Sequence, residues 1–170
     1  MILVLLGTQN NSFHRLLEEV EKNIEDGTIK EEVIVQAGYT KYITHKMRII
    51  DLMSQKQLNE FQDEADLIIT HGGVGSIISS IEKGKKVIAV PRLHEYGEHV
   101  NNHQLDFARK VAQRQKSIIV IENIEDLKHT ILNYEDITKL MSPEITSNNA
   151  AFNDNFKQIV NEIFEKRKKP

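Results

Sequence analysis

The sequence predicts an α/β protein with a Rossmann-like parallel sheet, helices on both faces and an added C-terminal helix. Short apolar runs of strand character alternate along the 170 residues with segments whose apolar residues recur at helical spacing. Most of the strand-like runs are apolar at nearly every position. This is the pattern of strands that are covered by helices on both faces of a sheet.

The first half of the chain contains three predicted strands and two predicted helices. The strand segments are rich in Val, Ile and Leu, whereas the helical segments place apolar residues three or four positions apart among charged ones. A serine precedes the second helical segment and is predicted to cap it. In order, these elements are a strand over 1–6, a helix over 12–23, a strand over 31–37, a short strand or turn over 49–53 and a helix from Ser54 to about 63.

The second half continues the alternation with three strands and three helices. Gly84 is predicted to end a helix and Pro91 to end a strand, because both residues interrupt regular structure. Asn123 is predicted to open the last of these helices. In order, these elements are a strand over 67–70, a helix over 76–83, a strand over 86–90, a helix over 101–113, a strand over 117–121 and a helix over 124–132.

The predicted sheet domain covers residues 1–132. Residues 133–149 are polar and without periodicity, so they are predicted to form a linker. Residues 150–170 are predicted to form an amphipathic helix with a basic tail. This helix either docks on a partner or packs on its own domain, and the basic tail is suited to anionic lipid.

Composition excludes several classes of function. The net charge is -3, so the chain lacks the basic footprint that nucleic-acid binding requires. It contains no cysteine, which excludes disulfides, thiolate metal sites and a cysteine nucleophile, and fits a reducing compartment. No apolar run approaches the about 20 residues of a membrane-spanning helix. We expect a cytoplasmic protein that meets a membrane only through a partner.

Three of the eight glycines lie in one motif, HGGVGS at residues 71–76, between a predicted strand and a predicted helix. Backbone N–H groups at such a turn, with the positive end of the helix dipole, form an anion site suited to a diphosphate. The plain alternative is that the glycines only permit a tight turn. The motif lacks the Lys-Ser/Thr pair of a triphosphate loop and the GxGxxG spacing, which argues against an ATPase and a dinucleotide oxidoreductase.

A polar segment, PRLHEYGEHVNNHQ at residues 91–104, follows the next predicted strand. Its many donors and acceptors are typical of a site that reads sugar hydroxyls, because a buried unpaired hydroxyl costs about 1–3 kcal/mol. A solvated loop is the plain alternative, and a metal site formed by His94, His99 and His103 is another. No supporting carboxylate pattern accompanies these histidines, so we predict that no metal is bound.

The third motif, Gly7-Thr8-Gln9, follows the first predicted strand. Ligands of doubly wound sheets bind beyond the carboxyl ends of the strands. We therefore expect the three motifs to meet across one crevice. The alternative for Gly7-Thr8-Gln9 is a simple turn without a ligand.

The order of the three motifs resembles the C-terminal, nucleotide-sugar-binding half of GT-B glycosyltransferases. The family 28 C-terminal domain of small split enzymes is the nearest resemblance. These include the catalytic subunit of the eukaryotic dolichol-linked UDP-GlcNAc transferase and bacterial capsule and exopolysaccharide subunits. The resemblance covers about residues 1–132.

By this resemblance, Thr8 and the backbone N–H groups of 72–76 contact the diphosphate of the donor, and 102–104 contact its sugar. Many relatives hold the ribose with a carboxylate in the helix after the glycine turn. Ser79 occupies that position here, so ribose recognition departs from the family pattern. The predicted donor-binding residues are Gly7, Thr8, Gln9, His71, Gly72, Gly73, Val74, Gly75, Ser76, Ser79, Arg92, Asn102, His103 and Gln104.

The resemblance implies a catalytic subunit of a two-component inverting glycosyltransferase, which moves a sugar from a UDP-sugar to a lipid-linked acceptor. It implies no cofactor. The general base is unassigned, with His71, Glu98 and His99 as candidates. The implied partner is a membrane-anchored, acceptor-binding subunit, which would hold this chain at the cytoplasmic face of the membrane.

Two other functions are alternatives. A non-catalytic subunit would keep the fold and enhance or stabilise a partner transferase, and Ser79 is compatible with that reading. A nucleotide-sugar epimerase needs two such domains, so 170 residues argue against it.

Overall fold

A computed structural model describes residues 1–114 and 117–141 of the chain. Its centre is one sheet of six parallel strands in the order β3-β2-β1-β4-β5-β6, which confirms the predicted fold class. The strands are β1 (Ile2–Leu5), β2 (Val33–Gln36), β3 (Arg48–Ile50), β4 (Leu67–Thr70), β5 (Val87–Ala89) and β6 (Ile118–Val120).

Helices connect the strands as the alternating pattern predicts, except that a loop over 37–47 connects β2 and β3. The helices are α1 (His14–Glu25), α2 (Gln55–Glu64), α3 (Val74–Glu82), α4 (His103–Arg114), α5 (Asp126–Leu132) and α6 (Tyr134–Lys139). A single 3₁₀ turn, His94–Tyr96, lies between β5 and α4 and was not predicted.

The apolar core lies on both faces of the sheet. On one face, Ile2 and Val4 pack in a cluster with Leu16 and Val20 of α1. On the other face, alternate β1 residues belong to a cluster that includes Phe61 of α2. Because successive side chains of a strand point to opposite faces, a strand covered on both sides must be apolar throughout.

The sheet has its topological switch point between β1 and β4. Leu5 pairs with Gln36 of β2 on one side and with Thr70 of β4 on the other. The chain runs from β1 to β2 and β3 in one direction, then crosses to β4, β5 and β6 in the other. The turns after β1 and β4 therefore diverge to opposite faces and leave a crevice at the carboxyl edge.

Four helices start two residues away from the predicted position, and the start of α3 matters for the site. α3 begins at Val74, so Gly75 and Ser76 lie inside its first turn. α5 begins at Asp126, later than predicted, and Oδ1 of Asn123 accepts from the backbone N–H of Glu125 at 3.3 Å in the turn before the helix. The cap predicted for α2 is present, because Ser54 and Gln57 form a reciprocal capping box.

The beginning of the predicted linker is helical, contrary to expectation. α6 occupies residues 134–139, and the hydroxyl of Tyr134 donates to the backbone O of Lys86 at 2.9 Å. The Lys86 ammonium in turn donates to the backbone O of Thr138. The rest of the linker and the predicted C-terminal helix lie outside the described residues, so the domain division stays a prediction. Within the described residues, no helix has the length and apolar character to cross a membrane.

Candidate functional site

A cleft of about 440 Å³ opens at the switch point of the sheet. Two walls form it. The glycine wall consists of residues 7–9 after β1 and 71–76 after β4, and the loop wall consists of residues 91–104. The residues that line the cleft are Gly7, Thr8, Gln9, His71, Gly72, Gly73, Val74, Gly75, Ser76, His99, His103, Gln104 and Phe107.

The first turn of α3 offers unpaired backbone donors to this cleft. The first bond back into the helix is from the N–H of Ile77 to the O of Gly73, at 3.0 Å. The N–H groups of Val74, Gly75 and Ser76 have no acceptor among residues 1–114 and 117–141. Such groups, added to the helix dipole, attract an anion.

The glycines of this turn are needed for different reasons. Gly72 has φ +82, which side chains rarely adopt. A β-carbon at Gly73 would lie only 2.2 Å from Nε2 of His71. Gly75 has neither restriction, because a β-carbon there would meet nothing within 4 Å. Backbone conformation thus explains Gly72 and close packing explains Gly73, whereas the fold gives no reason for a glycine at position 75.

The turn after β1 is packed between its neighbours. The side-chain N–H of Gln36 donates to the backbone O of Gly7 at 3.3 Å. Gly38 approaches the same oxygen so closely that a β-carbon would lie 2.2 Å from it. Gln9 reaches across the cleft, where its Oε1 accepts from Nε2 of Gln104 at 3.5 Å. Both walls are therefore joined at this point.

His71 is buried in the floor of the cleft as a neutral ring. Its Nδ1 lies 3.0 Å from the backbone O of Leu5, which only accepts, so Nδ1 carries the proton and Nε2 a lone pair. Burial, together with the nearby charge of Arg92, lowers the pKa of His71 to about 4. Such a weak base is poorly matched to proton abstraction near pH 7, which weighs against His71 as the general base.

Glu98, another candidate base, is committed to an internal ion pair and does not line the cleft. Nε and Nη2 of Arg15 each donate to one of its carboxylate oxygens at 2.8 Å. The backbone N–H of Leu93 adds a third bond at 3.0 Å. The guanidinium of Arg15 also lies 4.9 Å from the ring centroid of Tyr96. This arrangement holds the 3₁₀ turn against α1.

Arg92 and Asn102 also lie behind the cleft surface rather than on it. Arg92 is fully buried; its Nη2 donates to the backbone O of Asn11, and its own N–H donates to Oε1 of Gln104. Oδ1 of Asn102 accepts from the backbone N–H of His94 at 2.9 Å. Both residues shape the loop wall, and neither lines the cleft.

Two histidines of the loop wall line the cleft. His99 has its Nδ1 near the N–H of Asn101, at 3.3 Å, and burial lowers its pKa. His103 is half-buried at the start of α4. Within residues 1–114 and 117–141, no group of three His, Asp or Glu side chains is placed to hold a metal ion. The prediction that no metal is needed remains a prediction.

Ser79 stands apart from the cleft. Its Oγ accepts a hydrogen bond from Nε2 of Gln62 at 2.9 Å, and the same amide nitrogen lies 3.1 Å from Oγ of Ser80. This hydroxyl is therefore engaged between α2 and α3.

The structure brings together eleven of the fourteen predicted donor-binding residues around Gly7, the glycine turn and the start of α4, and His99 with them. It leaves Ser79, Arg92 and Asn102 outside the lining, as well as Glu98. Phe107 lines the cleft without having been predicted, because helical spacing assigned it to the core. A side chain one turn after Gln104 on the same helix was the available signal.

Comparison with known proteins places these features in a family. The family model described as the Glycosyltransferase family 28 C-terminal domain matches residues 1–163. The UDP-N-acetylglucosamine transferase subunit ALG13 of Mus musculus is 31% identical over 117 residues, which is 64% of this chain and 10% of that protein. The Homo sapiens subunit of the same name is 41% identical over 54 residues, or 32% of this chain and 4% of that protein. The matched part is thus about a tenth or less of these relatives.

Solved structures share the fold at low sequence identity. The glycotransferase of kitacinnamycin has a TM-score of 0.56 and 14% identity, over 95% of this chain and 38% of that one. The Streptomyces sp. SF2575 glycosyltransferase SsfS6, complexed with thymidine diphosphate, has a TM-score of 0.54 and 13% identity, over 96% and 37%. The calicheamicin glycosyltransferase CalG4 has a TM-score of 0.53 and 15% identity, over 96% and 38%.

Proposed function

The chain belongs to the glycosyltransferase family 28 C-terminal domain family, and on this basis we propose that it is the catalytic, donor-binding subunit of a two-component glycosyltransferase. Its donor is a UDP-sugar, its acceptor is lipid-linked, and transfer inverts the anomeric carbon. The product serves capsule or exopolysaccharide synthesis.

Gly75 is the observation that carries this proposal. Glycine in a helix costs up to about 1 kcal/mol relative to alanine. Neither the φ of Gly75 nor any neighbour requires it, yet it lies beside the unpaired N–H groups of Val74 and Ser76. A missing side chain is useful there if a ligand must approach the backbone closely. Three open donors at the positive end of a helix suit an anion, and we propose that this anion is the diphosphate of the donor.

The loop wall supplies the groups for the sugar. His103 and Gln104 start α4 and line the cleft opposite the glycine wall. The amide of Gln104 already bridges to Gln9 and to the backbone of Arg92, so it is held in place before a ligand arrives. Fixed polar groups of this kind orient a sugar at low entropic cost.

The chemistry proposed for this site is stabilisation of the leaving group. The oxygen of an acceptor hydroxyl forms the new bond to the anomeric carbon while the bond to the diphosphate breaks. The N–H groups of Val74, Gly75 and Ser76 would bind the negative charge that grows on UDP. The acceptor proton goes to a base, which we assign to the partner because Glu98 is paired with Arg15, the pKa of His71 is about 4, and burial lowers the pKa of His99.

Exposed apolar residues support a partner at the carboxyl edge of the sheet. Six of the eight large apolar side chains exposed in the described residues lie in loops or helix starts that follow strands β2 to β5. Loops that follow strands begin at the carboxyl edge, where the cleft opens, and exposed apolar side chains at such an edge are suited to contact with a partner. These residues are Tyr39, Ile43, Leu52, Val74, Tyr96 and Val100.

We propose that this partner is the membrane-anchored, acceptor-binding subunit, and that it holds the chain at the cytoplasmic face of the membrane. The mouse and human relatives are themselves named as transferase subunits. Full transferase activity of the purified chain alone would contradict the two-component proposal.

The donor is tested by calorimetric titration of the full chain with UDP, UMP and uridine. We expect UDP to bind at least about 10-fold more tightly than uridine, because the diphosphate meets the open donors of α3. Equal affinities would contradict the diphosphate site. The same titration with UDP-GlcNAc, UDP-galactose, UDP-glucose and UDP-glucuronate, with and without the candidate partner, identifies the sugar.

A non-catalytic enhancing subunit is the second candidate function. It is favoured by Ser79, which stands where the family resemblance implies a ribose-binding carboxylate and whose hydroxyl accepts from Gln62. An enhancer would stimulate transfer by its partner without binding UDP. Retained stimulation by a chain that shows no UDP binding would establish this alternative.

A further inference from the structure

His71 lies between the two turns of the glycine wall. Its ring follows β4, and β4 pairs in parallel with β1, so the turns after both strands are neighbours. Its backbone N–H and its Nδ1 both bind the O of Leu5, at 2.9 and 3.0 Å. Residue 71 is thus tied to the end of β1 by two bonds to one carbonyl oxygen, one from its backbone and one from its ring.

Both turns close on the far edge of this ring. A β-carbon at Gly7 would lie 2.6 Å from Cε1 and from Nε2 of His71, and a β-carbon at Gly73 would lie 2.2 Å from the same Nε2. Real β-carbons essentially never lie within 3.0 Å of a non-bonded heavy atom, so the ring occupies the space that a side chain at Gly7 or Gly73 would need. The imidazole thereby sets the distance between the two turns.

At Gly73, the close contact with the ring is the reason for a glycine, because the backbone conformation does not require one. Its φ is -69, a value that any residue adopts, whereas Gly7 has φ +73. The ring of His71 therefore supplies the close contacts that exclude a side chain at Gly73. Gly72 is the matched contrast, because its φ is +82 and the nearest atom to its β-carbon position belongs to Pro91, at 3.2 Å.

We propose that His71 is a positioning residue, a spacer that fixes the turn at Gly7 relative to the turn at Gly73 so that both can contact one diphosphate. The spacing of the turns, and not proton transfer by the imidazole, is the contribution of this histidine. Its effect on ligand binding rests on the proposed function, whereas its steric coupling to Gly73 does not.

The coupling is tested by a double-mutant cycle on the full chain with Gly73→Ala and His71→Asn. Asparagine retains an amide that can donate to Leu5 but removes the ring edge that meets residue 73. We expect Gly73→Ala to weaken UDP binding and lower the unfolding midpoint in the wild-type background, and to have little effect in the His71→Asn background. The expected coupling is about 10-fold in affinity.

Gly72→Ala is the control, because its cost should be the same in both backgrounds. His71→Asn alone should weaken UDP binding about 10-fold, a change that a purely proton-transferring base would not cause. Additive effects of Gly73→Ala and His71→Asn, or unchanged UDP affinity of His71→Asn, would overturn the proposal.

Unfolding midpoints keep the two proposals separable. A wild-type chain that fails to bind UDP would contradict the proposed function, yet coupling in the unfolding midpoints would still show the spacer. If Gly73→Ala alone fails to fold, recovery of folding by the added His71→Asn is the expected coupling, and failure of both is the contrary result.

Discussion

The glycine wall and the loop wall differ in what their polar groups are doing. In the glycine wall, the N–H groups of Val74, Gly75 and Ser76 have no acceptor within the described residues. In the loop wall, most of the polar side chains that dominate the motif are bonded within the protein. The bonded side chains are Arg92 to Asn11, Glu98 to Arg15, His99 to Asn101, Asn101 to His103, Asn102 to His94 and Gln104 to Arg92.

This difference shows that a dense polar motif is ambiguous. Loops need internal hydrogen bonds because their backbone has no ladder or helix to satisfy it. Much of the loop wall is therefore polar in order to hold its own shape. Open donors, such as those of the glycine wall, indicate a ligand more directly than the number of polar side chains does.

The largest expected effect tests whether Glu98 supports the loop wall or takes part in catalysis. Its side chain and that of Arg15 are 6% and 16% exposed. Breaking a buried pair costs about 3 kcal/mol or more, so Glu98→Ala should lower the free energy of unfolding by that order. Glu122→Ala, which removes the exposed partner of Arg109, should cost less than about 1 kcal/mol. Urea denaturation measures both free energies of unfolding. Equal losses in the two variants would mean that Glu98 does not stabilise the loop wall.

A charge at Gly75 tests the glycine wall. The β-carbon position is open, so Gly75→Asp should fold normally, and a carboxylate near a helix N-terminus is stabilising. It should nevertheless weaken UDP binding about 100-fold, because like charges at a binding site cost several kcal/mol. Calorimetry and thermal unfolding measure the two effects. As a control, Gly75→Ala should raise stability by up to about 1 kcal/mol and weaken UDP binding less. Unchanged affinity in both variants would remove the diphosphate from this wall.

His103 tests which side chains of the loop wall face the ligand. His103→Ala should reduce transfer by the complete enzyme about 30-fold, because the donor sugar loses its orientation. His94→Ala should have little effect, since His94 is exposed and does not line the cleft. Steady-state rates with a saturating partner make the comparison. Equal losses would mean that the cleft is not the sugar site.

The smallest effect, per pH unit, concerns the neutral ring of His71. The folded pKa is about 4 and the unfolded value is 6.5. Between these pH values His71 is protonated in the unfolded chain but neutral in the folded one. The free energy of unfolding therefore decreases as pH falls from 6.5 toward 4. The added slope approaches about 1.4 kcal/mol per pH unit. Urea denaturation at pH 7, 6 and 5 should show a shallower slope for His71→Asn, while identical slopes would indicate a charged or exposed ring.

Much of the fold was predictable because each strand and helix carries its own local signal. Residues 67–70 are β-branched or leucine between polar neighbours, and the predicted strand has the observed bounds. The cap at Ser54 was likewise predicted from the sequence, and the structure adds Gln57 as its reciprocal partner. The helix over 134–139 was missed because its few apolar positions show no clear period, and tertiary bonds from Tyr134 and Lys86 hold it in place.

The site was predictable as a location but not as a set of contacts. Parallel strands bring their carboxyl ends to one edge, so motifs that follow β1, β4 and β5 had to converge. The sequence does not reveal that Glu98 pairs with Arg15, 83 positions away. Nor does it reveal that Gly73 is required by a neighbouring ring, because that restriction arises only from the packed structure.

Arg92 places an incompletely hydrogen-bonded cation behind the surface of the cleft. Its guanidinium is fully buried, and Nε and Nη1 have no partner among the described atoms, so burial lowers its pKa to about 10. A cation held in this way beneath a cleft favours any anion that enters, without touching it. An anion bound in the cleft should therefore raise the unfolding midpoint of the whole domain.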